Sequence, residues 1–196
     1  LRTMPERSYR AYLCSGVTAV FDVGGFPWTW GLREAAETNP LAPHIAAAGP
    51  LVSHINPPQL ALPAEQEFIL LADEEAGRSG VRYLASNRTD AVKVWFIAPP
   101  EAERAAIDAR VAAVGDEARL QGVPLIVHAT SLREAKVAVR VGARVLVHSV
   151  EDEPVDDEFV ALLKDNDVIY IPTLAVASGY VRMYDAAVSG LPPSPV

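Results

Sequence analysis

Three short apolar runs in the middle third of this chain constrain it most. Ala91–Phe96 carries Lys93 at its centre, Pro124–His128 ends on His128, and Ala143–His148 ends on His148. A helix-patterned segment separates each run from the next. Strand, helix, strand, helix, strand implies βαβ units and a parallel sheet. In such sheets chemistry gathers at the carboxyl ends of the strands, which is where Lys93, His128 and His148 would sit.

The rest of the chain extends that alternation. Residues 5–15 pattern as a helix, with Pro5 in its first turn, Tyr9, Tyr12 and Leu13 on one face, and Gly16 as terminator. Val17–Val23 is a β-branched run closed by Gly24-Gly25. An aromatic loop, Phe26–Trp30, leads to a short helix near 31–38. His44–Gly49 is the weakest strand candidate, being rich in alanine. Pro50–Pro63 carries four prolines and is expected as a long loop, and loops of that length in compact domains are often functional. Ala64–Gly77 is expected as helix, with Phe68, Leu71 and Ala72 on one side, and Gly80–Leu84 is ambiguous. Pro99-Pro100-Glu101 opens a helix reaching Gln121. Ser131–Glu134 has the capping-box pattern for a helix running to Gly142. A helix over 156–164 and a strand over 168–172 follow, then a helix near 178–188 and a Pro-rich end.

The pattern thus predicts six β/α units with a helix in front of the first. A closed barrel of eight units takes ~250 residues. The expectation is therefore a TIM-type α/β barrel, incomplete here. Residues 1–196 would form one catalytic-barrel domain holding barrel strands two to seven, with the first and last strands missing.

Composition excludes several classes. A net charge of −8 and no cluster of Lys or Arg argue against a nucleic-acid surface. No apolar run approaches the ~18 residues of a membrane span. Leu1 is not an initiator, so the lack of a signal peptide decides little, and the compartment stays open with the cytoplasm as default. Cys14 is the only cysteine, so it has no intrachain partner, and its setting reads as a buried structural thiol.

The site residues earn their place by chemistry. Neutral imidazole is the commonest zinc ligand, and two at neighbouring strand ends would share a cavity. An apolar strand is a costly place for an ammonium. Burial lowers a lysine pKa, and the neutral amine is then a nucleophile able to add carbon dioxide as a carbamate. Two carbamate oxygens suit a bridge between metal ions roughly 3.5–4 Å apart. The plainer readings are a hydrogen-bonded structural histidine and a lysine whose amine reaches solvent. Trp95 and Thr173 are substrate-side candidates: Trp95 shares a strand face with Lys93, and Thr173 flanks the last strand with Tyr170. His54 follows the third strand in the Pro-rich loop, where a solvent-exposed histidine is the plain reading. Trp28, Trp30 and Trp95 serve equally as pocket walls or core. His44 opens a strand at its amino end and reads as structural. Glu151-Asp152-Glu153 reads as a solvated acidic loop.

Several ordered motifs resemble the amidohydrolase superfamily of metal-dependent (β/α)₈ hydrolases, in its imidazolonepropionase-like and Xaa-Pro-dipeptidase-like branch. They are Gly16–Val20 with Asp22–Gly25, Asp90–Val94, Val127–Ala129 followed by Glu134-Ala135, Val139–His148, and Pro172–Leu174. The resemblance implies that Lys93 is the carboxylated lysine bridging two divalent metals, zinc being the first choice. It implies that His128 and His148 are the strand-five and strand-six ligands. It implies hydrolysis by a metal-held hydroxide of the C–N bond of a small cyclic amide, a dipeptide such as Xaa-Pro or a related amide, or of a related ester, and it implies a substrate-facing role for His54. The family's His-x-His pair has no counterpart before Leu1, and its strand-eight aspartate would lie beyond Val196. Phe21 replaces a common arginine and Ser149 a common glycine. A partial chain, inactive alone, is the expectation.

Two rivals stay open. One is a metal-free Schiff-base lyase using Lys93 as nucleophile. The other is a non-catalytic barrel remnant used for binding or assembly, whose bare sheet edges invite pairing, including a homo-oligomer.

Overall fold

Each apolar run becomes a strand because its β-branched residues alternate between two covered faces. In a computed structural model describing residues 4–59, 62 and 64–190, the elements run α1 (Pro5–Cys14), β1 (Ala19–Asp22), α2 (Trp28–Glu37), β2 (His44–Ala47), β3 (Leu51–Ser53), β4 (Phe68–Leu70), α3 (Glu74–Ser86) and β5 (Val92–Trp95). A 3₁₀ turn (Glu101–Glu103) then leads into α4 (Arg104–Leu120), β6 (Leu125–His128), α5 (Leu132–Arg140), β7 (Ala143–Val147), α6 (Asp157–Asp165), β8 (Ile169–Ile171) and α7 (Ala175–Ser189). Residues 60, 61 and 63 of the Pro-rich loop and the Pro-rich end at 191–196 lie outside the described residues.

Six strands form one sheet in the order β4-β3-β5-β6-β7-β8, and β1 and β2 form a second, two-stranded one. Every pairing is parallel. β2 and β3 are one path bent at Gly49, whose φ is +69°. The amino half of that path pairs with β1 and the carboxyl half with β5. The Thr89 hydroxyl binds the Ala48 carbonyl at 2.8 Å and so ties the bend to the entry of β5. The path from β1 through β2/β3 to β5, β6, β7 and β8 is the expected wall of successive β/α units, with β4 added at β3's other edge.

One face of this wall carries the helices. Val92, Val94, Phe96, Leu125, Val127 and Leu146 pack there with residues of α3, α4, α5 and α6. Ala91, Ile126 and Val147, joined by Val23 and Val145, form a smaller cluster on the opposite face. That opposite face corresponds to the inside of a barrel.

Four expectations need correction. The helix expected over 64–77 is strand β4 followed by α3, and Gly80–Leu84 lies inside α3. Asp73 starts α3 by accepting the Ala76 N–H at 2.7 Å, and Phe68-Ile69-Leu70 is free to extend ahead of that cap. Residues 51–53 of the expected Pro-rich loop are strand β3. Cys14 is exposed, as are Ala11 and Tyr12 in the last turn of α1. The Ser131 side chain makes no cap bond to α5; Asp152, from the loop after β7, accepts the Leu132 N–H at 2.9 Å in its place.

Gly49 also fits against an indole. A Cβ there would lie 2.3 Å from Trp30 Cζ2, on a backbone that side chains rarely adopt. Gly49→Ala is expected to cost about 2–4 kcal/mol through strain and overpacking. Urea unfolding checks this, and a loss under ~0.5 kcal/mol would mean that the bend is not fixed by the Trp30 contact.

At the far edge, Ile169 and Ile171 of β8 are exposed, as are Tyr180, Val181, Tyr184 and Val188 of α7. No helix among the described residues is long and apolar enough to cross a membrane.

Candidate metal centre

Alternation along β5 places Lys93 opposite the helix layer. Val92 and Val94 belong to the helix-side core and Ala91 to the inner cluster, so Lys93 and Trp95 share the inner face. Lys93 stands beside Ile126 and Trp95 beside His128 in the β5–β6 ladder. Lys93 is only 4% exposed, and burial pulls its pKa from 10.5 down to about 7. A large share of the amine is therefore neutral at physiological pH.

His128 ends β6 on that face. Its pKa falls to about 4, first through burial and then through the proximity of His148 and Lys93. The imidazole is neutral and its lone pair is free to bind. The ring of Trp95 meets it edge-on at 6.0 Å.

His148 reaches the site by a different route. Val145 and Val147 face the inner cluster and Leu146 the helix layer, so simple alternation would send residue 148 toward the helices. Its φ is +78°. That left-handed turn is uncommon for a residue with a Cβ and costs about 1–3 kcal/mol. It brings the His148 ring to 4.6 Å from that of His128. Burial and Lys93 lower the His148 pKa, and Glu151 partly opposes them.

The loops behind the two histidines are bonded together. His148 N–H donates to the Ile171 carbonyl at 2.9 Å and Glu151 N–H to the Thr130 carbonyl at 2.8 Å. Ser149 Oγ donates to the Pro172 carbonyl at 2.7 Å. Val150 N–H donates to the Tyr170 hydroxyl at 2.9 Å. Thr173 Oγ1 lies 3.0 Å from His148 Nδ1.

The structure therefore brings together Lys93, His128, His148, Trp95 and Thr173. It does not bring His54 to them. That ring packs edge-on against Phe96 at 6.5 Å and feels Glu103 and Arg110, while burial lowers its pKa. Trp30 is buried beside Gly49 and meets Tyr83, and Trp28 stacks on Phe26. His44 lies at the amino end of β2 and pairs with Glu37. Two residues take roles that their sequence readings, a helix face for Phe68 and a solvated acidic loop for Asp152, did not give them. Phe68 lies 5.4 Å from Trp95, and Asp152 holds the loop after β7 on α5. The Asp73 cap, once noticed, would have released Phe68 from its expected helix; Asp152 left no local signal.

Among the described residues no three His, Cys, Asp or Glu side chains cluster as a metal site. The donors present are two neutral imidazoles and a lysine able to become anionic by adding carbon dioxide, a set that suits a borderline ion such as zinc.

No family model matches the sequence, and no curated protein matches it. Solved structures do. A Xaa-Pro dipeptidase with bound methionine in the active site superposes with a TM-score of 0.70 at 20% identity, covering 98% of this chain and 52% of that one. Ochratoxinase from A. niger gives 0.72 at 15% identity, covering 93% and 47%. Molinate hydrolase gives 0.69 at 19%, covering 94% and 47%. The chain shares the parallel β/α fold of these structures over the part of them that it covers. It spans about half the length of the amidohydrolase-fold chains it matches.

Proposed function

We propose that residues 1–196 are one catalytic-barrel domain, strands two to seven, of a metal-dependent hydrolase acting on C–N bonds of a small amide, cyclic amide or peptide. The observation that carries the proposal is the pair of neutral histidine rings 4.6 Å apart beside a lysine whose pKa is near 7. Lys93 would add carbon dioxide through its neutral amine and release a proton, and the carbamate so formed would help to hold the ions. His128 and His148 would hold one of them through imidazole nitrogens. Two divalent ions, zinc first among them, acidify water and polarise the scissile carbonyl when bound. Trp95, with Phe68 behind it, offers an apolar wall to the substrate. The likeness to dipeptidase, ochratoxinase and molinate hydrolase folds supports a small-molecule substrate.

Because the chain spans about half of its matches, metal content is the direct test. His128→Ala is expected to lower the metal bound per chain, read by elemental analysis after dialysis. Full occupancy in that variant would remove His128 from the ligand set.

The near-neutral amine of Lys93 also supports a metal-free Schiff-base lyase. Borohydride trapping of a carbonyl compound on Lys93 would favour that chemistry. Two metal equivalents lost on chelation would exclude it as the main account.

A further inference from the structure

We propose that Thr173 is a positioning residue for His148: its Oγ1 accepts the Nδ1–H of the imidazole and leaves Nε2 as the lone-pair nitrogen. The inference deepens the hydrolase reading and rests on it for the purpose of that lone pair.

The contact is built into the main chain. Thr173 has φ +48° and His148 φ +78°, so the ends of both β7 and β8 turn left-handed where the two side chains meet. Three further bonds hold those ends in register, from His148 N–H to Ile171, from Ser149 Oγ to Pro172, and from Val150 N–H to the Tyr170 hydroxyl. The 3.0 Å approach of Oγ1 to Nδ1 is thus fixed from several sides.

The direction of the bond follows from charge. A neutral imidazole carries one N–H and one lone pair. Were the hydroxyl to donate to Nδ1, the proton would sit on Nε2, in a ring already crowded by His128 and close enough to Lys93 to feel its charge. Wherever the Lys93 amine is protonated, as it mostly is below about pH 7, a lone pair beside it is favourable and an N–H is not. Holding the second nitrogen of a ligand histidine is also the usual means of fixing its tautomer and ring plane.

The test uses the whole chain labelled with ¹⁵N-histidine, in chelator at constant pH. Its four histidines allow His148 to be assigned by comparison with His148→Gln. Long-range ¹H–¹⁵N spectra are expected to show His148 protonated at Nδ1. Thr173→Val keeps the branched shape and the same backbone strain but lacks the acceptor, so His148 should move to the Nε2–H form or to an exchanging mixture. Thr173→Ser should restore the Nδ1–H form. Zinc titrated into the stripped protein should bind on the order of 10–100-fold more weakly to Thr173→Val than to Thr173→Ser.

An Nε2–H tautomer in the unmutated chain would overturn the proposal. So would a Thr173→Val variant, melting at the same temperature, that leaves the tautomer unchanged. If the tautomer responds as expected while the unmutated chain binds no zinc, the positioning role stands and the hydrolase reading falls.

Discussion

Lys93→Ala is expected to abolish metal-dependent hydrolysis in the complete, metal-loaded enzyme, lowering kcat/KM by on the order of 10³-fold or more, about 4 kcal/mol of transition-state stabilisation. Alanine would remove the proposed carbamate oxygens and leave two imidazoles, too few donors to hold a pair of ions. The vacated space at the carboxyl end of β5 lies next to Ile126 and the inner apolar cluster. A small acid fits such a space, so added acetate or propionate should restore part of the rate in a saturable way. Unchanged kinetics would eliminate the bridge. Loss without any rescue, in a variant still binding two ions, would point to Lys93 acting directly as nucleophile.

The same lysine makes a second large effect in the metal-free chain. Its ammonium titrates near 10.5 when solvated and near 7 when buried. Between those values the unfolded chain holds the extra proton, so stability rises with pH across that window. Below about 7 the folded chain carries the whole cost of a buried cation. A difference of roughly 3.5 pH units corresponds to about 5 kcal/mol. Lys93→Met, which fills similar volume without charge, should therefore stabilise the chelator-treated protein by a few kcal/mol near pH 6.5. The two proteins should converge as pH approaches 10.5. Parallel urea-unfolding curves at pH 6.5 and pH 10 would show that the amine is solvated after all.

What could be read in advance divides along physical lines. Lys93, Trp95 and His128 obey period two, so their shared face was legible from spacing. His148 obeys it only in being last on its strand, since its ring arrives through a left-handed main chain that no spacing rule encodes. The boundary of α3 was missed for a related reason. Gly77 resembles a helix stop, yet it lies in the first turn of α3. A Cβ there would come within 2.7 Å of Leu71 Cδ1 and 3.0 Å of Val114 Cγ2. It is glycine so that α3 can lie close to α4. His54 was placed by chain position alone, which says nothing about which side of β3 its ring takes. Asp152 caps a helix twenty residues before it in the chain, a partnership that only the folded loops disclose.

That remote cap has a mechanical corollary. Through Asp152 and the Glu151–Thr130 bond, the segment behind one imidazole is fastened to the segment behind the other. A displacement that drags His128 toward an incoming ion must carry His148 along with it. The pair would close as a single jaw, so one ion gripped by both rings should fill along one simple binding curve instead of attaching to one histidine at a time.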